Sequence, residues 1–195
     1  MNRNTDTENK ELFDICDANG IPTGETVERE KAHTEGICHR TAHVWVIRRD
    51  RQGVLILMQK RSDDKDSFPG CFDTSSAGHI RAGDEPEESA VRELAEELGI
   101  CAQPSELTFA GIFRNEYAKE FHGKMFRDNE VANVFVYEKN VNIAELNIQK
   151  EELSEVRWFD LEFVYQEKLR HNEEFCVPVE GLRTLMKYLG IEYQN

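Results

Sequence analysis

Glu93, Glu96 and Glu97 follow a glycine-punctuated loop, and Arg92 stands directly before them. Spacings of three and four residues would bring three carboxylates to one edge of a helix. Like charges held that close repel one another, and a cation between them removes the repulsion. Hard divalent cations take such oxygen ligands, and Mg²⁺ bound to protein carboxylates commonly bridges to substrate phosphates. The competing reading is a solvated acidic face, the ordinary fate of charge runs on helices.

These residues need a helix, and the stretch from Gly78 to Ile100 supplies one. Asp84 is a good N-cap, with Glu87 three residues on as its capping-box partner. Pro86 fits a first turn, and Gly99 ends the helix. Ala90, Val91, Leu94, Ala95 and Leu98 recur at helical spacing and are expected to face a core.

The same stretch resembles the Nudix box, a fixed order of glycine, acid, Arg-Glu-aliphatic, Glu-Glu and Gly-aliphatic. Gly78, Arg92, Glu93, Leu94, Glu96, Glu97, Gly99 and Ile100 match in register. Asp84 stands where the pattern has Glu, with Glu85 beside it. A match this long is far more specific than a lone short motif. The resemblance implies an α+β Nudix fold, a mixed β-sheet in an α/β/α sandwich. It also implies an Mg²⁺- or Mn²⁺-dependent pyrophosphohydrolase acting on a small diphosphate, with metal held by Glu93, Glu96, Glu97 and Gly78. Glu97 or Glu130 would be the general base, and Arg92 would orient the box by pairing with Asp84 or a helix carboxylate.

From about Leu12 to Phe159 the chain is similar to the isopentenyl-diphosphate isomerase branch of that family. Ala32-His33-Thr34, His39-Arg40, Gln59-Lys60-Arg61, Phe68-Pro69-Gly70-Cys71-Phe72, Gly78-His79 and Asp128-Asn129-Glu130-Val131 carry the likeness. It implies a second divalent-metal site at His39, His79, Asp128 and Glu130, with His33 joining through a one-residue gap. Imidazoles mixed with carboxylates suit Zn²⁺, Mn²⁺ or Fe²⁺ better than Mg²⁺. The likeness also makes Arg61 and Lys65 the diphosphate clamp. One departure bears on the reaction: Ala77 stands where the isomerases carry their catalytic Cys. With an intact box, this points to hydrolysis rather than isomerisation; a non-catalytic nucleotide-binding module is the remaining rival.

Composition bounds the rest. A chain of 195 residues suits one domain, expected over residues 11–195 after a frayed tail at 1–10. Hydrophobic content of 39% with 32% charged residues reads as globular, and no membrane span is expected. A net charge of −14 argues against nucleic acid as a partner. The five scattered cysteines read as reduced thiols of a cytoplasmic protein. A homodimer stays open as an assembly.

Pattern and turn chemistry place strands at Leu12–Cys16, Thr41–Arg48, Val54–Gln59, Cys71–Ser76, Leu107–Arg114, Val131–Glu138 and Val156–Phe159. Val27 begins a further short element. Helices are expected at Leu161–Leu169 and Gly181–Leu189. The resemblance implies that substrate specificity comes from outside the box, here from a loop over Arg114 to Arg127 and from the C-terminal helices. Trp45, Phe113, Tyr117, Phe121 and Trp158 are candidates for stacking on a base, or for the core.

Overall fold

A computed structural model describes residues 11–51, 53–65 and 67–193, so the expected tail at 1–10 lies outside the described residues. Two strands, β1 (Leu12–Cys16) and β2 (Pro22–Glu28), form a small antiparallel sheet. A short helix, α1 (Arg29–Glu35), follows, and Gly36 ends it with φ 72°, a left-handed cap. The main sheet has seven strands: β3 (His39–Arg49), β4 (Val54–Arg61), β5 (Phe72–Asp73), β6 (Ser76–His79), β7 (Thr108–Phe121), β8 (Lys124–Tyr137) and β9 (Leu153–Asp160). Its central path runs β5-β4-β3-β8-β7; β6 pairs with β3 and β9 with β4. β3 and β8 run parallel and the other ladders antiparallel, so the sheet is mixed.

Alternation along β3 splits the core into two layers. Ala42, Val44 and Val46 pack against Ala90, Leu94 and Leu98 of α2 (Pro86–Leu98). Trp45 and Ile47 face the other way, onto Leu161, Val164 and Tyr165 of α3 (Leu161–Leu169) and Leu182, Leu185 and Met186 of α4 (Val179–Leu189). The result is the expected α+β arrangement, a mixed sheet between helices.

Several local expectations need correcting. Helix α1 was not foreseen. The Arg114–Arg127 stretch is not a loop: β7 and β8 continue through it as a paired ladder from Thr108↔Val136 to Phe121↔Lys124. Cys71–Ser76 is not one strand but gives way to the short β5 and β6. Helix α2 starts one residue later than its predicted cap implies, with Glu85 at the N-cap and no side-chain cap bond, so Asp84 does not cap it. Ala95 is exposed rather than core-facing. Trp45 and Phe113 lie in the core.

Candidate metal and phosphate site

Strand β6 is the meeting point of two groups of polar side chains. Its neighbours alternate: Ser76 and Gly78 face α2, while Ala77 and His79 face the opposite side, where His39 and Glu130 lie. Gly78 has no side chain for a spatial reason. An added Cβ would lie 2.1 Å from Glu93 Cδ, so the Glu93 carboxyl occupies that space. Glu97 reaches the same strand, accepting the Ala77 amide at 3.1 Å. Glu93 and Glu97 are thus drawn onto β6. Glu96 is 52% exposed at its side chain and lies 3.9 Å from Arg92.

Burial dominates the electrostatics of this pair. It pushes the Glu97 carboxyl up to about 8, against the Ser76 hydroxyl and the Ala77 amide, which favour the anion. It pushes Glu93 up to about 7, opposed by Arg92. Two buried carboxylates therefore lack enough positive charge to ionise cheaply, a deficit that a cation would fill. Arg92 pairs with Glu93 at 3.0 Å and donates to the His79 carbonyl at 3.2 Å. Of its two predicted partners it takes the helix carboxylates; the Asp84 backbone carbonyl instead accepts from Arg40.

On the other side of β6 lie His33, His39, His79 and Glu130, each offering a ligand atom within 4.8 Å of the others. Four elements bring them together. His33 comes from α1, His39 opens β3, His79 ends β6, and Glu130 sits on β8 directly opposite His39 in the parallel ladder. Helix α1 is held down from β8, where Arg127 donates to the Thr34 carbonyl and Asn129 to the Gly36 carbonyl.

Backbone carbonyls set the imidazole tautomers. His39 Nδ1 lies 2.8 Å from the Ile37 oxygen and His33 Nδ1 3.0 Å from the Arg29 oxygen. A carbonyl only accepts, so both Nδ1 atoms carry the proton and both Nε2 lone pairs point into the cluster. His79 Nε2 is 3.3 Å from His33 Nε2 and 3.7 Å from Glu130 Oε1. His39 Nε2 lies 3.8 Å from Glu130 Oε1, and His33 Nε2 lies 3.8 Å from Asp128 Oδ1.

Burial keeps the imidazoles neutral: His33 is pushed down to about 4, and His39 and His79 also fall. Burial and mutual repulsion push Glu130 well up, and burial lifts Asp128 to about 7. His39 Nε2 and Asp128 Oδ1 are buried without a hydrogen-bond partner. Orphaned, convergent lone pairs of mixed nitrogen and oxygen type fit a borderline divalent cation.

Residues outside the predicted set shape this cluster. The Phe13 ring stacks on His79 at 4.5 Å and on His39 at 5.0 Å between centroids, and Phe126 stacks on His33 at 4.5 Å. Their signal in sequence is faint, because Phe13 belongs to the separate small sheet. Tyr117 faces Asp128 across the β7–β8 ladder, and burial beside the acidic pair pushes its phenol up.

The expected phosphate clamp has partners within the protein. Arg61 donates to the Ser67 carbonyl at 2.9 Å and hydroxyl at 3.2 Å, and pairs with Asp73 at 3.3 Å. Lys65 pairs with Glu152. Asp73 and Ser67 fix Arg61, and Glu152 engages the Lys65 ammonium.

The NUDIX domain family model matches residues 39–176. An uncharacterized Nudix hydrolase of Clostridium acetobutylicum is 38% identical over 144 residues, covering 74% of this chain and 67% of that protein. An isopentenyl-diphosphate Delta-isomerase of Cereibacter sphaeroides is 34% identical over 149 residues, covering 76% of this chain and 78% of its own. A crystal structure of a Deinococcus radiodurans protein shares the fold with a TM-score of 0.63 at 17% identity, covering 89% of this chain and 98% of that one. With its box helix packed on β6 and the family match spanning most of the sheet, this chain belongs to the Nudix hydrolase family, in the branch related to isopentenyl-diphosphate isomerases.

Proposed function

We propose that this protein hydrolyses the diphosphate linkage of a nucleoside diphosphate derivative, with Mg²⁺ or Mn²⁺ at the box and a second divalent cation at the histidine cluster. The observation that carries this reading is the pair of charge-deficient α2 carboxylates packed against β6: burial pushes Glu93 up to about 7 and Glu97 up to about 8. Glu93, Glu96, Glu97 and the Gly78 backbone would hold the box cation; His33, His39, His79, Asp128 and Glu130 would hold the other. Bound divalent cations neutralise a diphosphate and make attacking water more acidic.

The chain's own residues supply the remaining parts. Arg61, fixed by Ser67 and Asp73, presents its guanidinium to phosphate oxygens. Lys65 adds a second cation to the clamp. Arg92 keeps Glu93 and the His79 carbonyl in register, a positioning role. Glu97 or Glu130 accepts the proton of the attacking water, and burial raises both above the ordinary carboxylate range.

Isomerisation of a prenyl diphosphate is the second reading, favoured by the retained histidine cluster beside Glu130 and Tyr117. Ala77 weighs against it, since a methyl group exchanges no proton. The deciding experiment incubates the protein with Mg²⁺ or Mn²⁺ and separate panels of nucleoside diphosphate derivatives and prenyl diphosphates. Phosphate or nucleotide release from the first panel supports the proposal. Solvent-deuterium exchange into isopentenyl diphosphate without hydrolysis of either panel would replace it with the second reading.

A further inference from the structure

Two thiols meet at the margin of the histidine cluster. Cys16 ends β1 and is 4% exposed; Cys38, half-buried, directly precedes His39. Their sulfur atoms are 3.6 Å apart across 22 positions of sequence. The backbones are already joined, the Cys16 amide donating to the Cys38 carbonyl at 3.1 Å. A disulfide requires sulfurs about 2.05 Å apart on Cα atoms roughly 4.4–6.8 Å apart. The amide–carbonyl bond holds the two backbones side by side and so keeps their Cα atoms close. Rotation of the side chains brings the sulfurs together.

The segment between the two cysteines contains β2 and α1, and so carries His33. It is tied to the rest of the protein by the β1–β2 ladder, by the packing of Val27 and Ala32 on Phe13, and at α1 by Arg29 with Glu11, Arg127 with Thr34, and Asn129 with Gly36. A covalent bond at its base would close it into a loop anchored one residue from His39.

We propose that Cys16 and Cys38 form a reversible disulfide site whose oxidant is hydrogen peroxide, and that closure restrains the α1 segment. Cys38 is the more exposed thiol and meets the oxidant first. Its sulfur attacks one peroxide oxygen; the O–O bond breaks, Cys38 becomes a sulfenic acid, and water leaves. The Cys16 sulfur then displaces the sulfenic hydroxyl, which departs as water with the Cys16 proton. Two thiols are oxidised by two electrons and one peroxide is reduced to two waters. A dithiol reductant reverses the step by thiol–disulfide exchange.

The test treats full-length protein with stoichiometric hydrogen peroxide, blocks remaining thiols, and maps cross-linked peptides by mass spectrometry. Amide hydrogen exchange over residues 29–37 is followed in parallel. The expected result is a peptide joining Cys16 to Cys38, severalfold slower exchange across α1, and reversal of both by dithiothreitol. Cys38→Ser should abolish the cross-link and the slowing while folding normally, because the site is half exposed. Three outcomes overturn the proposal: Cys38 accumulating as sulfinic acid beside a free Cys16, a cross-link confined to the neighbouring thiols Cys71 and Cys176, or a Cys16–Cys38 bond that leaves exchange unchanged.

Discussion

Gly78→Ala is the sharpest perturbation of the box. Gly78 is absent from the positive-φ glycines, so the backbone there accepts alanine and only space is at issue. The new Cβ would stand 2.1 Å from Glu93 Cδ and 2.4 and 2.5 Å from its oxygens. Ordinary contact begins at 3.4 Å, so the carboxyl must retreat by more than 1 Å. Movement on that scale at a catalytic group costs about 10²-fold in rate. It also breaks the 3.0 Å pair with Arg92, a partly buried contact whose loss costs about 1 kcal/mol of stability. The variant should therefore fold and lose roughly 10²-fold in kcat. Steady-state diphosphate hydrolysis against Mg²⁺ concentration reads this, with thermal unfolding as the control. Adding Glu93→Gln to Gly78→Ala should cost little more, because both changes remove one ligand. Near-native kcat at low Mg²⁺ in Gly78→Ala, or full additivity in the double variant, would refute the role of Glu93.

Glu97→Gln should lower turnover by about 10²-fold or more with the fold retained, as removal of a metal ligand or base implies; near-normal kcat removes Glu97 from the chemistry. His79→Ala should lower the divalent metal that copurifies with the protein in the absence of chelator, read by elemental analysis; equal content in native and variant argues against the second site. His43 is buried on β3, and burial pushes its imidazole down to about 4 from 6.5. Its folded-state pKa is below its unfolded one, so the unfolded chain binds the extra proton between pH 6.5 and 4, and stability falls as pH is lowered through that window. At about 1.4 kcal/mol per unit, the loss from this group is at most about 3.5 kcal/mol. His43→Gln should flatten that part of the stability–pH curve, measured by urea unfolding; an unchanged slope refutes the assignment.

The box was legible because its chemistry sits inside one helix, where spacing in sequence is spacing in space. Leu94 and Leu98 face the core as their periodicity requires, and Glu97 follows them inward. Helix α1 was illegible because its sequence, REKAHTE, is short and mostly charged; only Ala32 and His33 are buried. Its signal was Gly36, whose left-handed cap turns the chain back toward His39. The outer half of the β7–β8 hairpin hid for a different reason. Ala118, Lys119 and Glu120 are all exposed, so neither face shows the apolar alternation of a half-buried strand. Cross-strand pairing and ring contacts among Phe68, Tyr117, Phe121 and Phe126 hold that hairpin, and such partners leave no mark in a single sequence. The histidine cluster came from resemblance alone, since its members lie on four elements.

A four-residue strand explains why the two groups lie next to each other. Successive residues of β6 point to opposite faces, so Ala77 and Gly78 offer an amide and a gap to Glu97 and Glu93 while His79 turns toward Glu130. Arg92 crosses between them, gripping Glu93 and the His79 carbonyl. One guanidinium and one peptide group thus join the box carboxylate to the residue that enters the histidine cluster. Ala77 lies between the two, opposite His43 in the β3–β6 ladder. Its methyl exchanges no proton, so under the proposed hydrolysis the acid–base work falls to carboxylates. Glu97 and Glu130, both raised by burial, are the proposed acceptors of the proton from water.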